Sequence, residues 1–178
     1  MTARSPQDQR GVATVELAII LGLFAALLMG VVELARASQQ FATLSASARA
    51  AARYAAANPT PDGLAGAHCL AVIGQALTSC GAESTARPLL PGLALSQVRI
   101  SLPADLVDES GTVVQAATPG LSAIQARAAD GASSGTLDVL TVTLGPVGAR
   151  YRFVPLLHGL MPAFEFAPVS VSMALVGN

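Results

Sequence analysis

A chain of 178 residues that is 52% hydrophobic and 12% charged, with neither tryptophan nor lysine, holds enough material for one small folded domain beside a membrane segment, and not for two sizeable domains. Its formal net charge is −1, and its ten arginines are scattered among eleven acids. That distribution offers no phosphate-binding footprint and excludes nucleic acid as an expected partner.

Residues 1–11 read as a short leader carrying Arg4, Asp8 and Arg10 and ending on Gly11. A nearly uninterrupted apolar run follows over residues 12–32, with Glu16 as its only formal charge. At about 1.5 Å per residue this run spans roughly 30 Å, one hydrocarbon thickness, so residues 12–33 are expected to form a transmembrane helix. An ionisable group near the start of such a span is expensive and calls for a partner. The order Arg10, Gly11, Val12, Glu16 marks the Gly11–Val12 bond as a candidate processing site, because cleavage there creates an α-amine close to the acid. Arg4 and Arg10 lie before the span, whereas Glu33 and Arg36 nearly cancel beyond it. This modest bias places the N-terminus in the cytoplasm. A secretory signal peptide is the competing reading, since Ala35-Arg36-Ala37 offers a small-x-small site. It leaves Glu16 without a role. Within the span, Gly22, Ala26 and Gly30 recur every four residues, a strip along which another helix can approach closely. In a chain this rich in Ala and Gly, composition alone also produces such spacing.

Helical composition continues past the span. Residues 33–57 contain no Gly or Pro, and Ala37, Phe41, Leu44, Ala48, Ala51 and Ala55 recur at spacings of three and four. Arg36, Gln40, Ser47 and Arg49 fall largely elsewhere, so residues 34–58 are expected to form an amphipathic extension. Asn58-Pro59 and Pro61-Asp62-Gly63 end it. Residues 12–57 thus make one helix near 70 Å long, and residues 59–178 form an external domain.

In that domain, residues 64–78 suggest a short helix bearing Cys69. An even cysteine count and an external location permit a Cys69–Cys80 disulfide; two separate buried thiols are the alternative. Residues 97–102 alternate as a strand, with Val98, Ile100 and Leu102 on one face. A short strand at 112–115, a helical or irregular piece at 121–129 and a flexible stretch at 130–135 follow. Strand signals return at 137–144 and at 150–154, where Tyr151 and Phe153 oppose Arg150 and Arg152, and residues 145–148 read as a hairpin between them. A last strand covers 169–176. The fold class is α+β, with an apolar sheet face that needs one or both helices as cover.

No catalytic constellation emerges. His68 beside Cys69 cannot face it as a triad requires. His68, His158, Cys69 and Cys80 lack the usual metal-ligand spacing. Asp105, Asp108 and Glu109 read as a solvated turn, and residues 130–135 lack the GK[ST] of a phosphate-binding loop. No enzyme activity, metal or cofactor is expected.

The run QRGVATVELAIILGLFAALLMGVVELARASQQFATLSASARAAARYAA resembles the start of the TadE-like pseudopilins of tight-adherence (Flp) pilus assembly systems. That family begins with a short basic leader, a Gly and a Glu at the fifth mature position. It continues into a transmembrane helix ending in a VELAR-type stretch and an AAR-x-A-A motif. Gly11, Glu16, Val32-Glu33-Leu34-Ala35-Arg36 and Ala51-Ala52-Arg53-Tyr54-Ala55-Ala56 stand in those places. The likeness is close over residues 9–57, looser over 137–178, and carries no motif over 60–135. It implies a pilin-like fold and cleavage of Gly11–Val12 by a prepilin peptidase. It also implies a register role for Glu16, paired with the amine of an adjacent subunit. The implied partners are the peptidase, other pilins and pseudopilins, the inner-membrane assembly platform and the lipid bilayer. The implied location is the bacterial inner membrane, single-pass, with the C-terminal domain periplasmic or external. Small major pilins of these systems carry Glu-Tyr, whereas Leu17 follows Glu16 here and a substantial domain is attached, which points to a minor or assembly component. The alternative is a bitopic protein whose external domain binds a ligand or serves as a scaffold, with the helix as a mere anchor.

Overall fold

Helix α1, Pro6–Ala57, runs unbroken for 52 residues. It begins six residues before the expected start at Val12, because proline at the first helical position presets φ and forfeits no hydrogen bond. The computed structural model describes residues 6–80, 86–103, 106–107, 113–116, 124–127, 133–137, 139–156, 159 and 161–175. The helix closes where the Asn58 backbone N–H and side-chain amide both donate to the Tyr54 carbonyl, at 3.0 and 3.1 Å. The chain then turns at once into helix α2, Pro61–Ile73. The Thr60 hydroxyl caps its start by accepting from the Gly63 N–H at 3.0 Å, and Pro61 occupies the first turn. It ends five residues before the expected 78, because Gly74 adopts φ 76° and donates its N–H to the Leu70 carbonyl at 3.1 Å. The Cys69–Cys80 disulfide ties the following segment back to α2.

The two helices form a close-packed hairpin. A Cβ on Gly63 would collide with the backbone carbonyl of Asn58, and one on Gly66 would lie 2.9 Å from the Tyr54 ring. At Gly63 the backbone of the connecting Asn58 fills the space a side chain would take, and at Gly66 the Tyr54 ring of α1 does.

A 3₁₀ turn at Leu95–Gln97 leads into β1 (Val98–Ser101). The further strands are β2 (Leu106–Val107), β3 (Val113–Gln115), β4 (Ile124–Arg127), β5 (Ser133–Leu137), β6 (Val139–Leu144), β7 (Arg152–Phe153), β8 (Phe164–Glu165) and β9 (Val169–Ala174). The main sheet is antiparallel with order β1-β6-β9, and β2-β3, β4-β5 and β7-β8 pair separately. In the main sheet Ile100 aligns with Val142, and Val142 with Val171, so alternate apolar residues of all three strands share one face. That face packs on α1 and α2. Leu140, Val142 and Leu144 meet Leu44, Ala48, Ala51, Ala55, Leu64 and Ala67 in a single core. The alanines let the sheet approach the helix backbone closely. On the outer face Thr141 bonds Ser172 at 2.8 Å and Thr143 bonds Ser170 at 3.0 Å, cross-strand hydroxyl pairs of the kind that hold register.

Three expectations are corrected. Residues 145–148 do not join a hairpin: β6 pairs with β1 and β9, while β7 leaves the main sheet for β8. The aromatic faces of β7 and β8 explain this, since Phe153 stands opposite Phe164. Ile124–Arg127 is a strand paired with Ser133–Leu137 rather than a helical or irregular piece, so 133–135 belong to a ladder as well; here cross-strand pairing outweighs local propensity. Finally, the inward stripe of α1 is less apolar than its spacing suggests. Glu33 and Ser47 are buried and Arg36 and Gln40 half-buried, whereas Phe41 is exposed. The acidic group Asp105, Asp108 and Glu109, and His158, lie outside the described residues.

Candidate functional site

The first half of α1 is bare. From Gly11 to Val32 nearly every residue is exposed, including Val12, Leu17, Phe24 and Leu28. This helix is long and apolar enough to cross a membrane, and none of its most apolar window is buried. Gly11, Gly22 and Gly30 have nothing within 4 Å of where a Cβ would stand. With Ala26, the latter two form an open strip along one side of the helix, and Glu16 is exposed a turn beyond Val12. The candidate processing and register residues therefore lie together on one continuous helix, outside the folded domain.

Where the bare half ends, an unanticipated polar junction begins. The Glu33 side chain is only 1% exposed. Its Oε2 accepts from the Arg36 guanidinium at 2.9 Å and its Oε1 from the backbone N–H of Leu156 at 2.7 Å. A carboxylate taken out of water is tolerated only with such partners. Arg36 also lies over the Phe153 ring, 5.7 Å from its centre. Four of the five phenylalanines of the chain gather beside it: Phe153, Phe164 and Phe166 pack within 5.1 to 6.2 Å of one another, and Phe41 is 5.7 Å from Phe166. Tyr151 stacks on Phe166 and points its hydroxyl at Gln40 Oε1 (3.2 Å) and the Pro91 carbonyl (3.0 Å). Burial raises the Tyr151 pKa, against the opposing pull of Arg36. Arg36, Tyr151 and Arg152 border a shallow cleft of about 300 Å³. A signal for this junction was present in the sequence: an acid three residues before a base, at the end of an apolar helix, faces neighbours on the same side.

The disulfide uses both thiols, so Cys69 and Cys80 are not available as metal ligands. Among the described residues no three His, Cys, Asp or Glu side chains gather in a way that could hold a metal ion. His68 is half-buried on α2, and burial lowers its pKa.

Bare span, open glycine strip and Glu16 all fall within one matched segment: residues 11–53 match the TadE-like protein family. That likeness is confined to the helix. The TadE-like segment begins at Gly11 and stops four residues before α1 ends, so it includes Glu16, Glu33 and Arg36 and none of the sheet. No curated protein and no solved structure matches the chain.

Proposed function

We propose that this chain is a minor pilin or pseudopilin that acts in assembling a tight-adherence, Flp-type pilus. The observation that carries this reading is the TadE-like helix itself, bare over its apolar half and built into a folded domain over the rest. In this reading residues 12–33 anchor the chain in the bacterial inner membrane with the N-terminus cytoplasmic. The disulfide supports an oxidising location for the domain, outside the cytoplasm.

A prepilin peptidase cuts between Gly11 and Val12 and exposes an α-amine with a reference pKa near 8. That ammonium pairs with Glu16 of an adjacent subunit, which offsets the desolvation of both charges, whereas an unpaired carboxylate in lipid costs several kcal/mol. Gly22, Ala26 and Gly30 let the neighbouring helix approach. The pair sets the axial register as subunits pass from the assembly platform into a filament-like structure.

Two measurements test this. Intact-mass analysis of the membrane-derived protein should find a chain starting at Val12; a start near Ser38 would mean ordinary secretory cleavage. Glu16→Ala or Glu16→Gln should leave cleavage intact and impair incorporation into the pilus apparatus. Normal assembly with either change would reduce the helix to a simple anchor.

A further inference from the structure

We propose that the external domain rests a second foot on the bilayer: the segment carrying Val154 and Leu156 sits in the interfacial layer of the same membrane that α1 crosses. This rests on reading residues 12–32 as the membrane span. The apolar run matches one hydrocarbon thickness and ends at Val32, so Glu33 marks the level at which the helix leaves the hydrocarbon. Side chains on a helix tilt towards its N-terminus, which here is the lipid side, so the Glu33 carboxylate reaches back towards the membrane. The Leu156 N–H is held on that carboxylate at 2.7 Å. This hydrogen bond fixes Leu156 at the depth of the helix exit, with Val154 two residues before it.

The side chains displayed at that depth suit the headgroup–acyl boundary. Leu156 is 65% exposed and Val154 51%, although both lie next to a core that would have buried apolar groups folded inwards. Arg152, two residues before Val154, is exposed beside the cleft. A basic residue flanking apolar ones suits the interface, where its stem lies along lipid and its charge meets phosphate. The occupant of this surface is therefore the bilayer. Two points of attachment, helix and foot, fix the tilt of the domain over the membrane, which one helix alone leaves undetermined.

The absence of tryptophan from the chain makes the test direct. Leu156→Trp, Val154→Trp, Phe24→Trp and Ala57→Trp are each made in the full chain and reconstituted into phospholipid vesicles. The lipids are brominated either near the headgroup end or near the tail end of the acyl chains. Ala57 ends α1 roughly 36 Å beyond Glu33 at about 1.5 Å per residue and serves as the aqueous reference. The foot predicts blue-shifted emission from Trp at 156 or 154, quenched severalfold more by the headgroup-end bromines than Trp at 57. Phe24→Trp reports the span itself through the tail-end bromines. Quenching at 24 with both loop positions matching 57 would overturn the foot and leave the span standing. No quenching at any position would overturn both.

Discussion

Glu33 shows how one side chain can set the relation between two parts of a molecule. It is a buried acid on a helix whose preceding twenty residues are almost entirely apolar, and its two oxygens serve two different elements. Glu33→Ala leaves the Leu156 N–H without its acceptor and Arg36 without its partner. The expected loss is roughly 2–3 kcal/mol, less than for a fully buried pair because Arg36 is partly exposed and can rehydrate. Hydrogen exchange should show the Leu156 amide accelerated on the order of thirtyfold or more. Glu33→Gln keeps an acceptor and should lose markedly less; equal losses would mean that charge governs the junction and the hydrogen bond does not. His68 offers a second residue-scale prediction. Its folded pKa is lowered by burial, so the neutral form favours the folded state. The contribution is fully present above the unfolded value of about 6.5 and is lost as pH falls through the lowered folded value. His68→Gln should therefore flatten the decline in stability below about pH 6.5, measured by urea midpoints across that range.

At the scale of elements, the α1–α2 hairpin and the disulfide carry distinct predictions. Gly63→Ala places a methyl group against the Asn58 carbonyl and should destabilise the domain by about 2 kcal/mol, the overpacking cost exceeding the gain in helix propensity. Gly22→Ala has open space around it and should leave the melting temperature of the domain unchanged. Replacing Cys69 and Cys80 by serine together should lower stability by about 2–3 kcal/mol, the loop-closure contribution for a crosslink with a separation of 11 residues, read as a shift in urea midpoint. These elements were unequally legible in the sequence. The strands around Ile100 and Val171 were clear because one face is buried and the period of two survives. The partner of β6 was not, because pairing is decided by which faces find cover. Tyr151 and Phe153 go to the aromatic cluster under Arg36, not to their nearest strand in the chain. Gly11 and Glu16 stand out in the sequence as a pattern of residue types, and their proposed roles rest on that pattern. The Glu33–Arg36 spacing was a local signal for a pair, whereas the burial of Glu33 was not legible, since it depends on Leu156, 123 residues away.

Across the whole molecule, α1 belongs to two environments at once. Its first half is bare and apolar, while its second half supplies Leu44, Ala48, Ala51, Ala52 and Ala55 to the domain core. No linker separates the two, so a movement of the span is passed to the sheet without slack. The same arrangement gives the domain a missing piece whenever the chain is divided where the helix stops. A fragment of residues 59–178 would expose the trough that α1 fills and should be insoluble or unfolded alone. Adding a peptide of residues 33–57 should restore its circular dichroism and its protected amides. The fold is in that sense a split protein already joined at the factory, and its natural boundary lies at Glu33, inside a helix, where no loop would suggest a cut.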